Sequence, residues 1–346
     1  MLIALKPPKN LELDCRTWAP SFVRATGVRE DLANSRKTGK SLLRPSVIVT
    51  TYSTKRSNDL LDCIASLKSQ TLVPLEIILV LEPDSSVVSY YEHIVGDARI
   101  VVAEGTGLSN ARNAGVKAAS SRIVAFIDDD AIADRDWLVA LVSNFSDSHV
   151  VGAGGLIKPL WSGDRPRWFP EELDWVVGCS YKGLPKNKSF TRNPIGCNMC
   201  FRRDVFERAG FFTSNLGRSR ERLLGSEEAE FSLRAQRAIP NSRIIFDPSA
   251  VVYHKVSRSR SNLRYLMKRT FNEGVSKRLM ARGSKDTLAV EGRYLAYLLK
   301  DSIPSRLKSI REVNDLLRLT VILVGITLVL VGYTATDQNA RRLKST

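Results

Sequence analysis

The strongest constraint on the fold is a series of short, continuously apolar runs that alternate with helix-patterned segments. The apolar runs are SVIVTTY (46–52), LEIILVLE (75–82), RIVVAE (99–104) and RIVAFI (122–127). NDLLDCIASLKSQ (58–70) has its apolar side chains on one helical face, and GLSNARNAGVKAASS (107–121) is a Gly-led, Ala-rich helical pattern. Buried strands separated by helices predict an α/β fold whose mostly parallel sheet is covered on both faces. With 346 residues, 43% of them hydrophobic, the chain can bury one large core or two modest ones.

Polar side chains stand where three of these runs end. Thr51 and Tyr52 close the first run, Glu82 closes the second, and the triplet Asp128–Asp130 follows the fourth. In open α/β sheets, ligands bind outside the carboxyl ends of the strands. Adjacent carboxylates raise one another's pKa unless a cation or hydrogen bonds compensate them, so we expect a positive charge beside the triplet. A solvated turn is the alternative interpretation of the triplet taken by itself.

The chain is strongly basic, with 52 Lys and Arg against 36 Asp and Glu and a formal net charge of +16. Such a charge is compatible with nucleic-acid binding, but no zinc-finger, RNP or helix-turn-helix signature accompanies it. The excess is concentrated between Lys255 and Arg311, where 15 Lys and Arg face 4 Asp and Glu. Anionic lipid head groups attract such a stretch. We therefore expect a membrane with anionic lipids as a partner, and no nucleic acid.

An apolar segment near the C-terminus, LTVILVGITLVLVGYTAT (319–336), contains 18 residues without a charge. A helix of this length reaches about 27 Å, close to the hydrocarbon thickness of a bilayer. We predict a single transmembrane helix, with a buried core helix as the alternative. The basic stretch precedes the segment and only three Lys and Arg follow it, which places the N-terminal part in the cytoplasm. On this interpretation, deletion from Leu319 onward leaves a folded domain.

Five cysteines, an odd number scattered along the chain, and a polar N-terminus without a signal-peptide pattern indicate a reducing compartment. Cys197 and Cys200 have CxxC spacing, but a zinc site needs two further ligands and the sequence offers none nearby. We interpret this pair as small, half-buried residues.

Six blocks in one order resemble the motif series of family-2 glycosyltransferases with the GT-A fold. They are SVIVTTYSTKRSNDLLDCIASLKSQ, EIILVLEPDSS, GLSNARNAGVKAASSRIVAFIDDDA, GCNMCFRRDVFERAGFF, GSEEAEFSLRAQRA and DPSAVVYHKV. The resemblance runs from about Ser46 to Tyr265 and implies a Rossmann-like, mostly parallel sheet flanked by helices. We divide the chain into an arm (1–44), a catalytic domain (45–256), a basic helical juxtamembrane region (257–318), the transmembrane helix (319–336) and a short tail (337–346).

The resemblance implies a nucleotide-diphosphate sugar donor, a UDP- or GDP-sugar, and Mn²⁺ or Mg²⁺ as the cofactor. A divalent cation bridging both phosphates stabilises the leaving group. Asp128 and Asp130 match the family's DxD motif, the first near the ribose and the second on the metal, and His254 either completes the metal shell or is structural. Donor contacts are assigned to Thr51, Tyr52, Glu82, Arg112, Asp128 and Asp129. Because the family more often has Asp at the position of Glu82, the nucleotide base stays open.

The second half of the implied site binds and activates the acceptor. Glu227 and Glu228 open a predicted helix, and by resemblance one of them, more readily Glu228, deprotonates an acceptor hydroxyl for a single displacement with inversion. The acceptor-binding residues that we expect are Gly196, Asn198 and Trp168. We predict a membrane-associated acceptor, either a lipid-linked saccharide or another glycan. Two alternatives stay open: a polyprenyl-phosphate acceptor, which is already anionic and needs no base, and a non-catalytic basic adaptor for membrane or nucleic acid.

Overall fold

A computed structural model describes residues 43–214, 227–281 and 288–342, with side chains as far as residue 335. The predicted arm (1–44) lies almost entirely outside the described residues, as do Cys15 and the side chains of the predicted tail.

The four apolar runs form four parallel strands, as predicted. They are β1 (Ser46–Thr51), β2 (Glu76–Leu81), β3 (Arg99–Val102) and β4 (Ile123–Asp128), and they lie side by side in the order β3-β2-β1-β4. Helices α1 (Ser57–Lys68), α2 (Ser85–Glu92) and α3 (Leu108–Ala118) make the crossovers between them. Because the pairing is parallel, the polar residues at the ends of β1, β2 and β4 share one edge of the sheet.

The sheet becomes mixed beyond β4. Its remaining strands are β5 (Ala131–Ala133), β6 (Val150–Trp161), β7 (Ser189–Phe190), β8 (Asn198–Arg202) and β9 (Arg243–Val256). Strand β8 is antiparallel to both β4 and β6, β9 is parallel to β6, and the short β5 and β7 pair with β9 in antiparallel fashion. The parallel half was therefore predicted correctly, whereas the antiparallel strands of the second half lie outside the apolar alternation on which that prediction rested.

Two apolar cores cover the two faces of the sheet. On one face, α1 and α4 (Trp137–Ser143) bury residues such as Leu60, Trp137 and Leu138. On the other face, α5 (Asp204–Ala209) and α6 (Glu227–Ala238) stack Phe206 on Phe231 with ring centroids 4.5 Å apart. Both faces are thus covered by helices, which gives the α/β architecture expected from the sequence.

The basic C-terminal region folds against the sheet domain. It contains α7 (Leu263–Ala281), α8 (Ala289–Tyr297), a π-helical turn (Leu298–Ser302), α9 (Ile303–Lys308) and α10 (Val313–Arg342). Glu172 of the sheet domain is fully buried and accepts hydrogen bonds from Ser302 Oγ at 2.7 Å and from Arg306 Nη2 at 2.7 Å. Burial opposes the charged form of Glu172, but these two donors leave its pKa below the ordinary value. A buried charge-assisted contact therefore fixes this region in place.

Among the described helices, α10 is the one long and apolar enough to cross a membrane, over Val313–Ala335 with a mean hydropathy of 2.3. It begins six residues before the predicted segment. It packs directly against α7, and the two helices run in the same direction. Gly274 of α7 and Gly332 of α10 bring the backbones into contact, since a Cβ on Gly274 would overlap the carbonyl oxygen of Val329. Removal of α10 would uncover this face of α7, so the packing does not support a freely removable anchor.

The opposite face of α10 is apolar and exposed. Its exposed residues recur every seven positions: Leu316, Leu317, Leu323, Val324, Leu330 and Val331. One side of the helix is therefore bound to protein, while the other offers a continuous apolar surface suited to lipid.

We predict that Gly274→Ala destabilises the protein by about 1–3 kcal/mol, because the added methyl group must push the two helix backbones apart. Gly292→Ala in α8 is the matched control, since a Cβ there meets no atom within 4 Å and alanine is the better helix former. Thermal unfolding of both variants in detergent, followed by circular dichroism, measures the difference. Equal melting temperatures for the two variants would show that the helices do not pack this closely.

Candidate active site

The acidic triplet is held by strands on both of its sides. Asp128 ends β4, and the chain turns at once into β5, which pairs with β9 so that Ala131 lies opposite His254. The amide of Lys255 donates a 2.8 Å hydrogen bond to the carbonyl oxygen of Asp130. The β4–β5 turn therefore brings Asp130 beside His254, although the two residues are far apart in sequence.

Asp128, Asp130 and His254 form a group that can hold a divalent cation. One potential ligand atom from each of the three lies within 4.8 Å of the other two, and His254 Nε2 is 3.2 Å from Asp130 Oδ1. Burial opposes the charged form of Asp130, but His254, Arg260 and Arg56 keep its pKa below the ordinary value. The group therefore offers two carboxylate oxygens and one imidazole nitrogen, and the carboxylate of Asp130 is ionised. Such a set of donor atoms fits a divalent cation.

Arg56 supplies positive charge beside the triplet. Its Nη1 lies 3.1 Å from Asp129 Oδ1 and 2.9 Å from Asp130 Oδ2. Thr51 Oγ1 donates a 2.6 Å hydrogen bond to the other oxygen of Asp129. Burial raises the pKa of Asp129 to about 6, with the charge of Asp130 adding to the effect and Arg56 opposing it. Sequence reasoning did not name Arg56; the requirement for a cation beside the triplet was the signal for it.

The predicted nucleotide-binding residues lie at neighbouring strand ends. Glu82 follows β2 and accepts a 2.8 Å hydrogen bond from the amide of Gly107, which has a φ of +96° and precedes α3. Tyr52 follows β1 and is 44% exposed. Because β1 lies between β2 and β4, Thr51, Tyr52 and Glu82 adjoin the acidic triplet along one edge of the sheet.

Arg112 joins the triplet to the glutamates of α6. This buried arginine on α3 donates to Glu227 Oε1 at 2.8 Å, to the carbonyl oxygen of Gly196 at 3.2 Å and to Asp128 Oδ1 at 3.4 Å. A Cβ on Gly196 would lie 2.8 Å from Nη2 of Arg112. The absence of a side chain at Gly196 therefore leaves space for the guanidinium group.

The adjacent residues Glu227 and Glu228 have different surroundings. Both line a cavity, but Glu227 is buried in its ion pair with Arg112, whereas Glu228 is half-buried. Burial raises the pKa of Glu228 to about 7, the charge of Glu227 adds to this, and Arg112 and Lys277 oppose it. A carboxyl group with a pKa near neutrality is suited to accept and release a proton.

The cavity has a volume of about 630 Å³ and connects these polar groups with the C-terminal helices. At its polar end lie Arg112, Asp128, Glu227, Glu228 and His254. Its apolar wall comes from α8, the π-helical turn and α10, through residues that include Leu295, Leu298, Gly325, Ile326 and Val329. One cavity is thus polar beside the triplet and apolar beside the candidate membrane helix.

Two of the three predicted acceptor residues do not line this cavity. Asn198 is fully buried; its Nδ2 donates to the carbonyl oxygen of Ala250 at 2.8 Å and its Oδ1 accepts from Trp137 Nε1 at 2.8 Å. Trp168 packs against the ring of Phe169, with the centroids 5.4 Å apart. Gly196 does line the cavity, as does Trp175. The structure therefore gives Asn198 and Trp168 packing contacts, and it places neither of them in the wall of this cavity.

The CxxC pair lies in the same part of the sheet. Cys197 and Cys200 are buried free thiols, as are Cys63 and Cys179. Burial raises the pKa of Cys200 and Cys197 above the ordinary value, which keeps these thiols protonated.

Comparison with known proteins gives consistent relatives. The model of "Glycosyl transferase family 2" matches residues 46–210. Glucosyl-dolichyl phosphate glucuronosyltransferase of Haloferax volcanii is 32% identical over 275 residues, covering 78% of this chain and 88% of that protein. Succinoglycan biosynthesis protein ExoM of Rhizobium meliloti is 29% identical over 171 residues, covering 49% of this chain and 51% of that protein.

A solved structure resembles the chain over nearly its whole length. It is the mannosyltransferase PcManGT from Pyrobaculum calidifontis in complex with GDP-Man and Mn²⁺, at 18% sequence identity and a TM-score of 0.50, covering 90% of this chain and 91% of that one. This likeness confirms the expected GT-A fold. The match over residues 46–210 and the 32% identical relative show that the chain belongs to glycosyl transferase family 2.

Proposed function

We propose that this glycosyltransferase moves a sugar from a nucleoside diphosphate to a hydroxyl group of a lipid-linked saccharide, with a divalent cation and with inversion. The observation that carries the proposal is the single cavity that joins Asp128, Glu228 and His254 to the apolar wall formed by α10. A soluble acceptor would have no use for such a wall. The name of the Haloferax volcanii relative, glucosyl-dolichyl phosphate glucuronosyltransferase, agrees with a lipid-linked acceptor.

The donor binds at the strand ends in this proposal. Thr51, Tyr52 and Glu82 hold the nucleoside, and the diphosphate lies beside Asp128 and Asp130. With His254 these two carboxylates would hold Mn²⁺ or Mg²⁺, which neutralises the charge that develops on the diphosphate leaving group. Arg56 and Asp129 support the site through their ion pair, which fixes the turn that carries Asp130.

The acceptor hydroxyl gives its proton to Glu228 as its oxygen attacks the anomeric carbon. A bond forms between these two atoms on one face of the sugar, while the bond from the anomeric carbon to the phosphate oxygen breaks on the other face. The nucleoside diphosphate leaves with the bonding electron pair, so the configuration inverts. Arg112 positions the base indirectly, because its ion pair with Glu227 fixes the start of α6.

The remaining alternatives differ in what they require of Glu228. A polyprenyl-phosphate acceptor is already anionic and does not need a base, so a half-buried carboxyl group with a raised pKa favours a hydroxyl acceptor. The non-catalytic adaptor is set aside, because the chain belongs to a family of transferases. For the location, we propose that the exposed face of α10 contacts lipid and that the sheet domain lies on the cytoplasmic side, as the charge distribution favours.

We predict that Asp130→Asn removes metal-dependent binding of the nucleoside diphosphate, because asparagine keeps the shape of the side chain and loses its charge. Changing a residue that contacts a metal ligand typically weakens metal binding by about 10- to 100-fold. Changing a ligand itself should weaken it at least as much. Titration calorimetry with UDP and GDP, with and without Mn²⁺, measures it. Asp97→Asn, at an exposed residue far from the triplet, is the control. Full transferase activity in EDTA would contradict metal dependence.

We predict that Glu228→Gln lowers kcat by about 10²- to 10⁴-fold and leaves donor affinity nearly unchanged. The wild-type rate should rise with pH through about 7 and then level off, because below its pKa the carboxyl group already holds a proton; the variant should lack this step. Besides the surrounding burial, Glu227, Arg112 and Lys277 are the charged groups that set this pKa.

Glu230→Gln is the control for this experiment, since Glu230 pairs with Arg234 at 2.8 Å one turn further along α6. If Glu228→Gln is fully active and Glu227→Gln is inactive, Glu227 is the base. If both variants are active, a phosphate acceptor replaces the hydroxyl acceptor.

A further inference from the structure

Five charged residues line the cavity without a part in the reaction as proposed: Arg192, Arg269, Glu273, Lys277 and Glu291. We call them the cationic cluster. Lys277 Nζ lies 2.9 Å from Glu291 Oε1 and 3.1 Å from Glu273 Oε1. Arg192 makes a bidentate pair with Glu291 at 2.7 and 2.9 Å, and Arg269 Nη1 lies 2.7 Å from Glu273 Oε2.

The cluster has one more positive charge than negative. Two arginines and one lysine face two glutamates, and the side chains are largely buried. Burial alone would favour neutral forms, but the lysine and Arg269 hold the pKa of Glu273 at about 2, and the pKa of Lys277 is raised by Glu273 and Glu291. Glu273 and Lys277 are therefore charged, and the excess positive charge of these five residues would be balanced by an anion that joins them.

Arg269 points to where that anion binds. Its side chain is only 8% exposed, and its Nε is buried without a hydrogen-bond partner among the described residues. Its guanidinium group lies 5.9 Å from the ring of Trp175, another residue that lines the cavity. Most buried polar groups in proteins have a hydrogen-bond partner. A buried guanidinium N–H group without one therefore requires an explanation.

The cluster lies between the proposed base and the apolar wall. Lys277 is near enough to Glu228 for its charge to lower the pKa of that carboxyl group. One turn earlier on α7, Gly274 contacts the backbone of Val329 on α10. An anion held here would have Glu228 on one side and the apolar residues of α10 on the other.

We propose that the cationic cluster binds the phosphate that joins the saccharide to the lipid of the acceptor. The inference rests on the proposed function and adds a recognition site to it. A sugar linked to a lipid through one phosphodiester carries one negative charge, which matches the excess charge of the cluster. The terminal sugar then reaches Glu228, the phosphate accepts hydrogen bonds from Arg269 and Lys277, and the lipid chain follows α10. Charge-assisted hydrogen bonds of this type are the strong ones in such a site.

Binding of two prenyl probes tests this inference without donor, metal or turnover. Farnesyl phosphate and farnesol share one chain and differ in the phosphate, and titration calorimetry in detergent compares their affinities. We expect the wild type to prefer farnesyl phosphate by about 10- to 100-fold, the effect of a hydrogen bond to a charged group. Arg269→Gln should remove most of this preference, and Arg269→Lys should keep part of it because the charge remains.

Lys268→Gln is the matched control, because Lys268 is an exposed cation on the same helix, and this variant should keep the full preference. Arg269→Gln should fold, since Glu273 keeps its ion pair with Lys277. An equal affinity of the wild type for both probes would overturn the inference, as would a preference that survives in Arg269→Gln.

A second measurement separates this inference from the proposed function. Slow hydrolysis of the donor by water needs the catalytic residues but no lipid acceptor. Its absence in the wild type with Mn²⁺ would contradict the proposed function, whatever the probe preference of Arg269→Gln. If the variant instead alters the choice between UDP-glucuronic acid and UDP-glucose and leaves the preference for farnesyl phosphate intact, the cluster recognises a carboxylate on the donor sugar. That result would overturn the phosphate site and leave the transferase function standing.

Discussion

Three carboxylates at the end of a buried strand need compensation, and much of the structure around them supplies it. Arg112 approaches Asp128, Arg56 binds both Asp129 and Asp130, and Arg260 lies 3.6 Å from Asp130. These cations come from the turn after β1, from α3 and from the segment after β9. The charges can be balanced only when the parallel strands, α3 and β9 are all in place, which couples the geometry of the site to the folding of the whole sheet.

The same network accounts for what could be predicted from the sequence. Apolar periodicity reports local structure, so the first four strands, the shared edge of the sheet and the acidic triplet were all visible. The partners of the triplet were not, since Arg56 and Asp130 are 74 residues apart and Arg112 and Glu227 are 115 residues apart. Ion pairs at such separations are set by tertiary packing, which no periodic pattern records.

The surroundings of two adjacent glutamates also could not be predicted from the sequence alone. Glu227 and Glu228 differ by about 100° around the helix axis, so Glu227 pairs with Arg112 and is buried, whereas Glu228 is half-buried. The sequence could not choose between them without knowing where α3 lies. Asn198 and Trp168 were linked to the acceptor through the motifs that contain them. The side-chain hydrogen bonds of Asn198, however, go to Trp137, Leu156 and Ala250, and Trp168 packs on a neighbouring ring. A motif places a loop near a site without showing which of its side chains point there.

The C-terminal helices join two properties that the sequence presented separately, a basic stretch and an apolar segment. In the fold, Gly274 and Gly332 let α7 and α10 touch, so charged residues of α7 and apolar residues of α10 line one cavity. An acceptor held there would be bound through its lipid and its phosphate, neither of which reacts. Binding energy from such remote parts can hold the hydroxyl group against Glu228, converting an encounter in the membrane into an oriented attack. An acceptor with the same sugar but a shortened lipid would then lose turnover as well as affinity, because the groups that orient it are the groups removed.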